Sequence, residues 1–389
     1  MPTEADTRVR TSPTDQGDGR PTAFGALDPR LYFDPAVAEI EQRAIFERTW
    51  QLAGHISDLS GPGSWITASA GNQSVVVARD KQGGLQAFRN VCRHRGRQLL
   101  GERSGCSRAI RCAYHGWTYA LDGSLLGAPE IRGFSGGLDR AAHGLLPVRV
   151  EELCGLLFVN LDPGAAPLRE LVDDLPARLG PYEIPSLVRA KAGDAHTQAA
   201  NWKVVADNYL EGYHVPIAHP SLMRLLDYER YRPQVRDHYV WFEAPMRPHP
   251  SENRAERLYQ RLVRPMGALT DEDRRVWRYL FIYPNTAIDL YPDQVGIWQI
   301  SPDGPERTRD TWAMLRPRRE GLRDRAIRAV NDRVNDVVNH EDVELVEAVQ
   351  RGLHTTGYRC GPLNAREAGV GWLADRVRGD LGAYGEAPA

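Results

Sequence analysis

The sequence predicts an α+β protein of two unequal parts, a small antiparallel β domain followed by a larger mixed domain. Three observations predict it. Residues 60–165 alternate short β-prone runs with Gly-rich turns. Beyond about residue 165, helical stretches and strand-like runs are interleaved. The 389 residues, 42% apolar and 26% charged, can fill two cores of ordinary globular composition.

The elements follow in chain order. Residues 1–25 are rich in Pro, Thr, Asp and Gly and read as a flexible arm. This arm is polar throughout, without the apolar core of a secretory signal, and nothing later reads as a membrane span, so a cytoplasmic protein is expected. Over residues 26–50 a helical segment is expected, because Asp34–Leu52 spaces its apolar residues with helical period. Residues 51–165 form the β domain, with strands expected at Ser74–Ala78, Gln86–Asn90 and Leu156–Asn160 and turns at Gly61-Pro62-Gly63 and Asp122-Gly123. Residues 166–389 form the mixed domain, with helices near 199–214 and 322–351 and strands near 238–243, 278–283, 295–300 and 310–314. With 49 basic against 51 acidic residues, net charge −2, there is no electrostatic footprint for nucleic acid or a membrane surface.

Five cysteines, an odd number spread over a long chain, do not read as a disulfide framework. Three of them fall within 21 residues, at Cys92, Cys106 and Cys112, which points to metal chemistry. Cys92-Arg93-His94 is followed by 17 residues and then Cys112-Ala113-Tyr114-His115. Each loop therefore offers one thiolate and one imidazole. A structural zinc also accepts two Cys and two His, but finger spacing pairs Cys with Cys and His with His. In a Rieske centre two Cys hold one iron and two His the other. Cys106 has no ligand partner and is expected to be an ordinary small buried residue.

Cys92-Arg93-His94-Arg95-Gly96 and Cys112-Ala113-Tyr114-His115-Gly116-Trp117 resemble the two ligand loops of Rieske proteins. That resemblance implies a [2Fe–2S] cluster on Cys92, His94, Cys112 and His115.

A second constellation lies about 100 residues on. His214 and His219 are five residues apart, off the helical i, i+4 spacing, but Pro216 should break the helix after His214 and let His219 turn back. Two His and one carboxylate on one face of a metal form the iron site of non-heme Fe(II) oxygenases. Taken alone, the two His read equally well as ordinary polar residues. For the carboxylate, the stretch His340–Gln350 offers Glu341, Asp342 and Glu347, any of which could instead sit on a solvated helix face.

Together the motifs resemble the alpha subunits of Rieske ring-hydroxylating and N-demethylating oxygenases over roughly residues 40–380. Asn201-Trp202-Lys203, Asn208-Tyr209-Leu210-Glu211-Gly212-Tyr213-His214 and the tail from Gln350 to Ala368 are most similar to the choline, glycine-betaine and carnitine branch. The resemblance implies a Rieske domain beside a helix-grip, START-like catalytic domain with a curved antiparallel sheet. It implies mononuclear Fe(II) on His214, His219 and Asp342, and catalytic roles for Glu211 and Asn208. Where naphthalene-dioxygenase-like members have Asp three residues before the first His, this chain has Glu211, and that acid would bridge to a Rieske His of a neighbouring subunit. Also implied are head-to-tail trimers and a separate flavin- or ferredoxin-type reductase that draws on NAD(P)H. The reaction would be O2-dependent hydroxylation or N-dealkylation of a small organic molecule, with a methylated amine favoured over an aromatic or natural-product scaffold.

Tyr279, Phe281 and Tyr283 alternate along one expected strand and so share a face, with Trp298 and Trp241 on its neighbours. They read either as core or as an aromatic wall for a flat ring or a quaternary ammonium. A non-catalytic Rieske electron carrier is the rival from another class. The additional 220 or so residues with His214, His219 and an acid argue against it.

Overall fold

A computed structural model describes residues 25–192 and 196–383, so the arm expected over residues 1–25 lies outside it but for Gly25. The α+β reading holds. No helix among the described residues is long and apolar enough to cross a membrane.

Residues 51–160 carry three small antiparallel sheets. One has the order Leu85–Arg89, Gln73–Arg79, Ser64–Ala70, Ser104–Cys106, and another joins Ile110–Arg111, Thr118–Tyr119 and Leu125–Gly127. The third has the order Gln51–His55, Leu156–Asn160, Arg149–Leu153. Leu156–Asn160 is apolar almost throughout because both its faces are covered. Leu157 and Val159 enter the β-domain core, while Leu156 and Phe158 pack toward the second, larger sheet beside Trp241, Leu280 and Ile282.

The larger sheet is antiparallel, in the order Leu187–Ala192, Thr308–Pro317, Val295–Pro302, Thr286–Leu290, Val276–Ile282, Tyr239–Pro245, Arg232–Val235, with His196–Gln198 also on Thr308–Pro317. Its inner face carries the helices Trp202–Tyr209, Leu322–Leu353 and Ala368–Ala383.

Several expectations need correcting. The helix expected over Asp34–Leu52 runs from Pro35 only to Phe46, the last turn widened, and Gln51-Leu52 already belong to a strand. The helix expected near 199–214 ends at Tyr209. Pro216 does not break a helix; it sits in the first turn of a new one, Val215–Ala218, where its missing N–H costs nothing. Cys106 is exposed, on the solvent side of an edge strand. A strand at Thr286–Leu290 was not foreseen.

The N-terminal helix packs on the elements of the larger sheet, where Ile45 and Phe46 join Trp202 and Trp372 in one core. Glu41, buried, accepts from Trp202 Nε1 at 2.8 Å and from Lys203 Nζ at 2.6 Å, so Asn201-Trp202-Lys203 is an anchor. Burial lowers the Lys203 pKa and Glu41 opposes it. Gln350 closes the same corner, accepting from the Asn201 N–H at 2.9 Å.

Candidate metal centres and the cavity between helix and sheet

The two loops at Cys92 and Cys112 have the same backbone. In each, the Cys carbonyl accepts from the Gly four residues on, Gly96 at 3.1 Å and Gly116 at 3.0 Å. In each, the Cys N–H donates to the carbonyl five residues on, Arg97 and Trp117, both at 2.8 Å. Both glycines are left-handed, φ 72° and 73°. Cys92 and Cys112 are buried, whereas His94 and His115 are half-buried with ring centroids 4.6 Å apart. The buried His94 Nδ1 has no hydrogen-bond partner, as a metal-binding nitrogen should not. Tyr119 Oη lies 3.4 Å from Cys92 Sγ and accepts from the Arg93 N–H. Among the described residues only His214, His219 and Asp342 gather three or more Cys, His or carboxylate donors within 4.8 Å. The four donors of a tetrahedral zinc, with its bonds of about 2.0–2.3 Å, would form such a group, whereas one thiolate and one imidazole from each loop is the donor set of a two-iron Rieske cluster.

The second site is assembled from two distant segments. His214 ends the turn after helix Trp202–Tyr209, His219 separates two short helices, and Asp342 lies on the long helix Leu322–Leu353. Nε2 of His214 and of His219 are 3.1 Å apart, and Asp342 Oδ1 is 3.0 Å from the second and 3.6 Å from the first. Such a triangle matches one face of an octahedron with bonds of about 2.1 Å, whose edges are about 3 Å. Each His turns its other nitrogen to a carboxylate, His214 Nδ1 to Glu211 and His219 Nδ1 to Glu341 at 2.7 Å. Carboxylates only accept, so each Nδ1 carries its proton and each Nε2 presents a lone pair. Two lone pairs facing each other at 3.1 Å ask for a cation. Burial opposes protonation of His219, yet Asp342 and Glu341 outweigh it and raise its pKa, so negative charge already converges where a metal would sit.

The three acids left open by the sequence separate here. Asp342 faces both Nε2 atoms, Glu341 holds His219 from behind, and Glu347 accepts from the Ala199 N–H. Asn208 donates to Asp342 Oδ1 at 2.8 Å, a positioning contact. Glu211 lies in the turn beyond the helix; one oxygen faces His214 Nδ1 and the other the Tyr213 and His214 N–H groups.

A cavity of about 160 Å³ opens over the triad. Tyr279 and Trp298 line it; Phe281 and Tyr283 do not, Phe281 being buried against Trp372 and Tyr283 donating to Asp380 at 2.6 Å. Trp241 pairs with Leu280 and so faces the opposite side of the sheet. Sequence reasoning missed Tyr209, Tyr231, Asp289 and Asp310, which line the cavity as well. An Asp at alternate register with the inward Ala287 of Thr286–Leu290 was the available signal. Asp289 accepts from Tyr209 Oη and Trp298 Nε1, both at 2.9 Å, and burial raises its carboxyl to about 6. Gly296, opposite it, leaves the room: a Cβ there would meet Asp289 Oδ2 at 3.2 Å.

Comparison with known proteins agrees with this geometry. Residues 49–139 match the Rieske [2Fe-2S] domain, and residues 186–381 match the ring hydroxylating alpha subunit catalytic domain. The oxygenase subunit of glycine betaine monooxygenase from Chromohalobacter salexigens is 32% identical, covering 94% of this chain and 88% of that protein. Chloroplastic choline monooxygenase from Beta vulgaris is 33% identical, covering 85% and 71%. A solved quaternary ammonium Rieske monooxygenase, described for carnitine oxidation by gut microbiota and inter-subunit electron transfer, superposes with a TM-score of 0.79 at 28% identity, covering 92% and 95%.

Proposed function

The chain belongs to the ring-hydroxylating oxygenase alpha-subunit family, and from that premise we propose that it oxidises a methylated or quaternary amine by hydroxylating or removing an N-alkyl group. It is the oxygenase component of a Rieske non-heme iron oxygenase, supplied with electrons by a separate reductase. The observation that carries the amine reading is the cavity wall. Rings of Tyr209, Tyr231, Tyr279 and Trp298 and the buried Asp289 carboxylate line the same cavity as the two-histidine, one-carboxylate face. Ring faces and a carboxylate both attract a cation, and a desolvated cation–π contact contributes about 2 kcal/mol. A neutral arene gains nothing from the carboxylate.

Cys92, Cys112, His94 and His115 would hold the two-iron cluster, and His214, His219 and Asp342 would hold the mononuclear iron. The chemistry supplied when these metals are bound is one-electron transfer and O2 activation. Glu211 and Glu341 fix the tautomers of the two His, and Asn208 fixes the Asp342 rotamer. Glu211 also forms the bridge to a Rieske His of a neighbouring subunit in a head-to-tail cytoplasmic homotrimer. Support for such packing comes from exposed apolar side chains at both ends of the contact: Tyr213 (56% exposed) and Ile217 (89%) beside Glu211 and His214, and Tyr114 (55%) against His115. A flavin- or ferredoxin-type reductase drawing on NAD(P)H is the expected electron source.

The test is single turnover. Pre-reduced enzyme loaded with both metals is mixed with O2 and either a trimethylammonium compound or a fused-ring arene, and Rieske reoxidation and product are followed. Acceleration and product with the ammonium compound are expected. Acceleration only with the arene would replace the amine reading by aromatic hydroxylation.

A further inference from the structure

Resting on the amine reading, the cavity says something about the other end of the substrate. Besides Asp342 at the metal face it is lined by Glu211, Asp289 and Asp310, and among the described residues no Lys or Arg lines it. A substrate carboxylate brought inside would meet like charges with no cation of the protein to pair with it, a costly placement in a desolvated site.

Asp289 and Asp310 are not equivalent. Asp289 has a donor on each oxygen, Tyr209 Oη on one and Trp298 Nε1 on the other. Asp310 is only 2% exposed, and its Oδ2 accepts from Gln198 Nε2. Its Oδ1 is buried with no hydrogen-bond partner. A buried, unsatisfied carboxylate oxygen is expensive, and proteins leave few of them. This one sits in the cavity wall, where an entering molecule can satisfy it. Position agrees: Asp310 lies opposite Ile300, itself a lining residue, two strands from the strand that carries Asp289.

We propose that the substrate is a cationic amine whose far end carries a hydrogen-bond donor, a hydroxyl or a second protonated amine, and no carboxylate, and that Asp310 Oδ1 accepts from that donor. Asp310 is then a specificity-determining residue. It selects within the chemistry that the relatives span, since glycine betaine and carnitine carry a carboxylate and choline a hydroxyl. Burial raises the Asp310 carboxyl to about 7, so its repulsion of a substrate carboxylate is fully present only above that pH, and a bound donor or cation favours its ionised form.

The test uses the metal-loaded enzyme with its reductase and trimethylammonium compounds of equal chain length ended by hydroxyl, primary ammonium, methyl or carboxylate. KM and the coupling of O2 use to product are read for each. Hydroxyl- and ammonium-ended compounds are expected to have KM about tenfold or more below the methyl-ended one, as a hydrogen bond to a charged group implies, with the carboxylate-ended compound worst. Asp310→Asn should bring the hydroxyl-to-methyl ratio close to one. The wild-type series decides the matter even if that variant fails to fold. A carboxylate-ended compound with the lowest KM would overturn the proposal, and below pH 7 it would mean that Asp310 donates as a carboxylic acid. An unchanged ratio in Asp310→Asn overturns it too. If all four ammonium compounds turn over alike, only this inference falls; if none does and an arene does, the amine reading falls with it.

Discussion

In the N-terminal domain four candidate metal donors come from two turns within 25 residues that repeat one backbone conformation. In the catalytic half three candidate donors come from a loop and a helix, with His219 and Asp342 separated by 123 positions. The first site is held by backbone: Cys-to-Gly hydrogen bonds and left-handed glycines. The second is held by side chains: Glu211 and Glu341 behind the histidines and Asn208 behind Asp342. The sites should therefore be independent of each other and should fail in different ways.

The largest effects test that independence. Asp342→Ala should abolish turnover and lower iron from about three to about two per chain, with the visible Rieske spectrum unchanged. Cys92→Ser should bleach that spectrum, while Cys106→Ser, on an exposed edge strand, should leave it intact. Bleaching in Asp342→Ala would show the two regions to be coupled.

Next in size is Glu211→Gln, which keeps shape and removes charge. With Fe(II) in excess, so that the mononuclear site stays filled, substrate binding should survive while the reductase-driven rate falls about 10–100-fold or more, the usual range for a residue behind a metal ligand. Reoxidation of the pre-reduced cluster at the wild-type rate would sink the bridging role. Glu341→Gln should act on the metal instead, weakening iron binding at the mononuclear site by about 10–100-fold. Glu347→Gln, at the carboxylate that accepts from the Ala199 N–H, should leave iron affinity alone. Equal iron loss in both would overturn the assignment of Glu341 as the carboxylate behind His219.

The same contrast governs what the sequence could tell. The Rieske pattern is legible because its donors are neighbours in sequence, and the long helix and the strand Leu156–Asn160 are legible because their apolar patterns run unbroken. His214 and His219 stand out only as a pair near a proline, and that proline starts a helix instead of ending one: residues 210–214 separate the helix that ends at Tyr209 from the one that begins at Val215. Which of Glu341, Asp342 and Glu347 meets the histidines depends on how a 32-residue helix is rotated about its axis, and spacing alone does not set that rotation. The cavity acids Asp289 and Asp310 are hidden for a related reason. Each interrupts an apolar strand face, and only the folded sheet puts both on one cavity. Glu41 and Gln350, joined to the Asn201-Trp202-Lys203 corner, are likewise long-range partners.

The smallest effect separates the two Rieske turns, alike in backbone but not in surroundings. At Gly96 a Cβ would meet nothing within 4 Å, so Gly96→Ala costs only the left-handed conformation, about 1–2 kcal/mol. At Gly116 the same φ is joined by crowding, with Pro129 Cγ at 3.1 Å and Arg111 Nη2 at 3.3 Å from the added carbon. Proline is rigid, so Gly116→Ala should cost more than Gly96→Ala. Neither change touches a donor atom, and both proteins should keep the wild-type visible spectrum at low temperature. Heating separates them: the temperature at which the Rieske absorbance is lost should fall in both, by about 2–4 °C for each kcal/mol in a domain of 150–250 residues and by more in one as small as this. Gly116→Ala should fall further. An equal fall would mean that backbone conformation alone sets the stability of these turns. A larger fall in Gly96→Ala would mean that the exposed turn, not the crowded one, limits how long the cluster is held.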